Sequence, residues 1–206
     1  RQAERARLAI LASVDDILLH TCCGPCSTVV VPAWRERGVR PLAWFANANI
    51  QPPVEWRRRV ESMRRYADAA DVELLVAAES EQSEAWRAWA ADLGELAAEE
   101  RCRMCLGLRL EEAAAAAARL GVPRFSTTLS VSPYQRHDLI VAGGNAAASK
   151  HGVSFIYLDL RDRFRDTYAE SRRYQLYRQS YCGCVASKWE AWQQRQQRRR
   201  QKGRMG

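Results

Sequence analysis

Seven cysteines lie in three tight groups along the chain, and none stands outside them. Cys22, Cys23 and Cys26 fall in His20-Thr21-Cys22-Cys23-Gly24-Pro25-Cys26. Cys102 and Cys105 are two residues apart in Cys-Arg-Met-Cys, and Cys182 and Cys184 flank Gly183. Thiols scattered as core filler would not segregate in this way. Sulfur drawn from three distant stretches serves a metal, an iron–sulfur cluster or redox chemistry. A four-iron cluster takes about four thiolate ligands, and Cys22, Cys23, Cys102 and Cys105 form a plausible set. Cys105 is expected to open a helix, whose N-terminal dipole would favour negative sulfur. Cys26, one helical turn beyond Cys23, would assist or bind a second ion. A disulfide across Cys182-Gly183-Cys184 would close a small, strained ring suited to a redox shuttle, and the same pair could serve as metal ligands. Zinc is the main alternative, since paired Cys-x2-Cys motifs commonly hold it. Against zinc, the first group is Cys-Cys, and seven thiols exceed one tetrahedral site.

The elements that position these groups follow from the apolar runs. Ile17 to His20 reads as a buried strand ending at the first thiols. Pro25 opens a helix to about Arg37, which Gly38 ends. Strands are expected at 41–46, 72–76, 125–129 and 154–158, with helices near 53–70, 81–99 (bearing Trp86 and Trp89), 106–120 and 136–151. The alanine run Ala113 to Ala118 makes the third of these the firmest local reading, because alanine is the best helix former. Five alternations of strand and helix imply a single α/β domain with a doubly wound parallel sheet. Ligands of such sheets bind beyond the carboxyl ends of the strands. Cys22 and Cys23, the loop from Asn47, and Ser126 to Ser130 all fall there.

The chain of 206 residues suits one domain, read as 1–190 with a tail at 191–206. No run of eighteen apolar residues argues for a membrane span. The first residues carry acid and lack a long apolar stretch, unlike a signal peptide, so a reducing cytoplasm is expected. Net charge is +8, and residues 191–206 hold six cations and no acid. Such a tail favours phosphate backbones and is expected to be frayed helix or disordered. Arg103, Arg109 and Arg136 are further candidate phosphate contacts. His20 ends a strand and is a candidate for a functional or core role. His137 and His151 read as helix-surface residues, and Asp159, Asp162 and Asp166 as part of a solvated face. Tyr168, Tyr174, Tyr177 and Tyr181 could stack nucleobases but suit core packing better.

Four ordered motifs carry a family resemblance. Leu18 to Ser27, Arg101 to Cys105 followed by Arg109 to Glu112, Phe125 to Pro133, and Tyr177 to Lys188 together resemble the QueH family of epoxyqueuosine reductases. The likeness runs from about Ile17 to Trp189. It implies reduction of epoxyqueuosine to queuosine at the wobble position of a tRNA anticodon, with a low-potential electron donor as further partner. It implies a [4Fe-4S] cluster, carried onto Cys22, Cys23, Cys102 and Cys105, and a redox or second-iron role for Cys182 and Cys184 with Cys26 nearby. The implied fold is Rossmann-like and similar to the nucleotide-binding HUP domains of tRNA-thiolating enzymes. Candidate proton donors are Tyr134, Tyr181 or an aspartate. Two departures from the family pattern are visible: Phe45-Ala46-Asn47-Ala48-Asn49-Ile50 lacks the usual proline, and Arg163 to Thr167 replaces a Gly- and Lys-rich stretch. Rival readings are a zinc-stabilised RNA-binding module and a cluster-dependent thiolating enzyme. The latter needs a phosphate loop where Cys22 to Ser27 stands.

Overall fold

The computed structural model of the chain describes residues 16–77 and 97–202. Its centre is a five-stranded, all-parallel sheet in the order β3-β2-β1-β4-β5. The strands are β1 (Asp16–His20), β2 (Arg40–Phe45), β3 (Leu74–Val76), β4 (Arg124–Thr127) and β5 (Ser154–Phe155). β1 is buried along its whole length, as a strand covered on both faces must be. Ile17, Leu18, Leu19, Ala43, Phe45 and Phe125 form the middle of the core. At the amino-terminal end of the strands, Arg40 closes a two-pronged ion pair on Asp16, at 2.7 and 2.6 Å.

The chain winds outward from β1 to β2 and β3, then returns to β4 on the opposite side of β1. The strand order therefore reverses between β1 and β4, where such sheets open a crevice at their carboxyl ends.

Helix α1 (Gly24–Arg35) starts directly at it, with Pro25 supplying a pre-set first turn. Gly24 is required there by contact, because a Cβ would lie 2.7 Å from the Ser62 carbonyl oxygen. Helix α2 (Pro53–Ala69) packs against α1 through Val60, Met63 and Ala67. Helix α3 (Ala98–Leu120) buries Ala113, Ala114, Ala116 and Ala117, and it lies along α4 (His137–His151). Small residues allow that approach: a Cβ on Gly143 would sit 3.6 Å from the Gly107 Cα. Helices α5 (Asp166–Arg173) and α6 (Val185–Lys202) complete the described elements.

Several expectations are corrected. Cys102 and Cys105 lie inside α3, which begins at Ala98, so Cys105 does not open a helix. The residues ahead of it, Ala98-Glu99-Glu100-Arg101, are themselves helix formers with acids in the first turn. β5 covers two residues rather than five. β4 ends at Thr127 and gives way to a 3-10 turn over Thr128–Val131. The basic run from 191 is helical as far as Lys202, with most of its side chains exposed. The helix read over 81–99, with Trp86 and Trp89, lies outside the described residues up to 96. No helix among the described residues is long and apolar enough to cross a membrane.

Candidate active site

The crevice gathers the sulfur. Cys22 leaves the end of β1, and Cys23 is the residue from which α1 departs. Their Sγ atoms are 3.7 Å apart. With Cys26, on the first turn of α1, they form a buried trio whose sulfurs all lie within 4.8 Å of one another, a group able to hold a metal ion. Thr128, at the end of β4, clamps Cys22 from the other side of the switch point. Its hydroxyl oxygen accepts from the Cys22 amide at 3.0 Å and donates to the Cys22 sulfur at 3.4 Å. The Gln179 side-chain amide donates to the Cys23 sulfur at 3.0 Å.

The three thiols differ electrostatically although they touch. Hydrogen bonds from Cys23 and Cys26, then the Arg109 charge and the Thr128 hydroxyl, hold Cys22 well below the ordinary thiol range in spite of burial. Burial and the Cys22 neighbour push Cys23 up to about 12. Hydrogen bonding to Cys22 and Cys23, with burial, pushes Cys26 up as well. The surroundings of the trio thus favour negative charge on Cys22 over Cys23 and Cys26.

A second group shares the Arg109 charge with it. Cys102 and Cys105 lie one helical turn apart on α3, on one face of the helix. Burial raises both, Cys105 to about 12, and the Cys182 and Cys184 sulfurs add to the effect. The carboxyl-terminal pair therefore shares the local field of the α3 pair. Exposure grades outward: Cys23 is fully buried, Cys102 and Cys105 are half-buried, and Cys182 is exposed. All seven are free thiols. Cys184 sits just before α6, and its sulfur accepts from the Ser187 amide at 3.4 Å, in the manner of a helix cap.

Arg109 stands between the groups. It is 2% exposed, and the Cys105, Cys182 and Cys22 sulfurs hold its guanidinium above its usual range against the cost of burial. Its Nη2 donates to Asn47 at 2.8 Å, and Asn47 in turn donates to the Thr21 carbonyl at 2.9 Å. Arg109 is consequently no phosphate contact, since it is buried among the thiols. Arg103 and Arg136 are exposed, and Arg136 pairs with Asp138.

His20 is buried and shares a 2.9 Å hydrogen bond with Thr127; burial, then Arg109, lower it to about 3, so the ring is neutral. His137 is half-buried rather than fully exposed. It bridges Tyr157 and the Ser132 carbonyl, pinning the turn after β4. The Tyr181 hydroxyl is committed to the Gln51 carbonyl, and burial raises it to about 12, which removes it as a ready proton donor. Tyr134 is 81% exposed beside Gln135, whose amide reaches the Cys182 sulfur at 3.5 Å. Asp159 and Asp166 pair with Arg161 and Arg163 on the surface, as expected of a solvated face.

A further set of residues carries no obvious sequence signal. Arg59 on α2 is 1% exposed and donates to the Cys182 and Tyr181 carbonyls at 2.8 and 3.0 Å. Glu55 holds it at 2.8 Å, and the Tyr177 hydroxyl donates to Glu55 at 2.7 Å. Gly183 is buried against the loop after β2, where its carbonyl accepts from the Gln51 amide at 2.8 Å. The i, i+4 spacing of Glu55 and Arg59 looks like an ordinary surface pair; only their burial reveals that they anchor the last thiols.

Residues 17–190 match the family model described as epoxyqueuosine reductase QueH. The chain belongs to the QueH family. A QueH from Dehalococcoides mccartyi is 36% identical over 174 residues, covering 84% of this chain and 93% of the relative. Those from Haemophilus influenzae and Thermotoga maritima are 32% and 30% identical, covering 98% and 92% of this chain and 83% and 98% of theirs. The QueH match contains every cysteine and ends at 190, within α6.

Proposed function

We propose that this chain reduces epoxyqueuosine to queuosine at the wobble position of tRNA anticodons. Membership of the QueH family across the whole sulfur-bearing region carries this reading. The reaction removes an epoxide oxygen as water and needs two electrons and two protons. The donor set suits an iron–sulfur cofactor: clustered thiols, largely buried, with a fixed cation beside them. Cys22, Cys23, Cys102 and Cys105 would hold a [4Fe-4S] cluster, which supplies single electrons at low potential when bound. The close approach of Cys26 favours a second ligand set, in which Cys22, Cys23 and Cys26 act together. In the first set Cys26, Cys182 and Cys184 remain for redox work or a second iron.

Cys182 is the most exposed sulfur, so the substrate meets it first. The Cys182 and Cys184 thiols can deliver the electron pair: their S–S bond forms, both epoxide C–O bonds break as a C=C double bond forms between the two carbons, and the two thiol protons leave with the oxygen as water. The Gln135 amide orients Cys182, and Arg59 fixes the two backbone carbonyls that flank the Cys182 Cα. A low-potential donor then restores the thiols. The base must be unstacked to reach them, as in other enzymes acting on a base within a nucleic acid. A cytoplasmic location fits a tRNA substrate.

ATP-dependent thiolation is disfavoured, because the crevice position of a phosphate loop is filled by Cys22, Cys23 and Cys26. Anaerobic purification with iron, sulfide and zinc quantification, followed by turnover of epoxyqueuosine-bearing tRNA, tests the proposal. A colourless protein with stoichiometric zinc and no turnover would overturn it.

A further inference from the structure

Helix α6 leaves the site as an exposed rod. It begins one residue after Cys184, and the 2.5 Å ion pair from Arg101 to Glu190 ties its second turn to the first turn of α3. Glu190 is its one acid, and that charge is already paired. The helix otherwise carries Lys188, Arg195, Arg198, Arg199, Arg200 and Lys202. Lys188, Trp192, Arg195 and Arg199 fall at i, i+4, i+7 and i+11, one stripe along the axis, and all four are exposed. Trp189 and Trp192 are 57% and 45% exposed, with rings stacked 4.7 Å apart and 17° from parallel. Among the described residues the arginine stripe beside the stacked tryptophan pair has no ion-pair partner, and α6 has no extensive packing partner.

The order of these groups along the helix matches a hairpin of RNA. At 1.5 Å per residue, Trp192 stands about 12 Å from Cys184 and Arg199 about 22 Å. Aromatic platforms suit unstacked, single-stranded bases, and arginines suit the phosphates of a duplex. A wobble base held at the cysteines puts loop nucleotides first and the stem beyond them. We infer that the Lys188–Trp192–Arg195–Arg199 face of α6 is a tRNA-docking arm, on which the tryptophans stack anticodon-loop bases and the arginines contact anticodon-stem phosphates. This deepens the reductase reading and rests on it for the placement of the wobble base. A membrane surface, the other partner of basic tryptophan-bearing helices, needs a continuous apolar face; polar Gln193, Gln194, Gln196 and Gln197 interrupt α6 instead.

The test uses full-length, iron-loaded protein and an unmodified tRNA transcript as the probe, with binding followed by fluorescence anisotropy across a KCl series. The triple variant Lys188→Gln, Arg195→Gln, Arg199→Gln should weaken binding about tenfold or more at low salt. It should also flatten the log–log salt slope by about 2–3, as loss of three phosphate contacts requires. A charge-matched control, Arg37→Gln, Arg119→Gln, Lys150→Gln, removes cations at or just beyond the carboxyl-terminal ends of α1, α3 and α4 and should leave the slope unchanged. Trp189→Ala with Trp192→Ala should weaken binding about fivefold or more with the slope unaltered. Equal slopes in the two triple variants, or tRNA affinity indifferent to both tryptophans, overturn the arm. Turnover of epoxyqueuosine-bearing tRNA is measured in parallel. A wild-type chain that binds tRNA with the steep slope yet reduces nothing refutes the reductase reading and leaves the arm standing.

Discussion

The Arg59 guanidinium donates to the Cys182 carbonyl at 2.8 Å, although 123 positions separate the two residues. A helix next to the first thiols thereby sets the path of the last ones. Arg59 also places its guanidinium over the Tyr181 ring, 5.2 Å from its centre. Its planar fork reaches two successive carbonyls while Glu55 holds the third nitrogen, a geometry lysine cannot reproduce. Arg59→Lys is therefore expected to lower kcat on the order of a hundredfold, the scale of a misplaced reacting group. Iron content and KM for tRNA should change little. Single-turnover kinetics beside iron analysis check this; unaltered kcat would remove Arg59 from the positioning of Cys182.

The same residue bears on stability. Glu55 is 5% exposed, so Arg59→Met leaves a buried carboxylate without its cation, costing about 3–5 kcal/mol. Adding Glu55→Gln removes the stranded charge and should restore part of that loss. Denaturant unfolding of both single variants and the double variant measures the coupling; strict additivity would contradict it.

Gly183 has φ +152°, and a Cβ there would lie 2.9 Å from Asn49 Nδ2 and 3.2 Å from Ile50. Gly183→Ala should push the thiol loop off the segment after β2. The expected result is turnover lowered by about tenfold or more with iron retained, read from the iron-to-protein ratio and the initial rate.

Glu112 is raised above the ordinary carboxylate range by burial, against the pull of Arg109, and its Oε2 has no hydrogen-bond partner. A raised folded-state value means that the folded chain holds the proton more tightly than the unfolded one. The penalty is therefore absent at acid pH and fully present once the pH exceeds the folded value. Glu112→Gln should raise Tm at pH 7.5 by about 2–4 °C, the shift of about 1 kcal/mol in a chain of this size. The gain should vanish below about pH 4, the ordinary range of a free carboxyl. Thermal melts at the two pH values decide it, and an equal gain at both would refute the electrostatic cause.

The two ligand sets separate on Cys26. If Cys22, Cys23, Cys102 and Cys105 hold the cluster, Cys26→Ala keeps full iron and each of those four alanine variants loses it. If the trio acts together, Cys26→Ala loses iron as well. Cys182→Ala should keep the cluster and lose turnover, which iron assays and visible spectra resolve.

Much of this was legible before any coordinates. The apolar run before Cys22 is long enough to be a strand and short enough not to be a helix, and Pro25 marks the start of α1. With four further alternations, the crevice position of Cys22 and Cys23 follows from topology alone. Residues whose role depends on burial were not legible. Arg109 reads as a basic helix residue, and only the packing of α3 over the end of β1 turns it inward among the sulfurs. His137 reads as exposed on its helix, because its Tyr157 partner belongs to the segment after β5. The start of α3 lies ahead of the expected position because cysteine is a poor helix former, while the acids of the first turn favour a helix N-terminus there.

The alanine run in α3 acts as a fulcrum for chemistry it never touches. Ala113, Ala114, Ala116 and Ala117 seat one end of a rod of 23 residues. Cys102 lies about 22 Å away from Ala117 along the axis at 1.5 Å per residue. A tilt of about 5° at that seat would swing Cys102 by about 2 Å, roughly the reach of one metal–sulfur bond. Bulk added to the alanines would thus register as lost iron at the far end of the helix before it registered as lost fold.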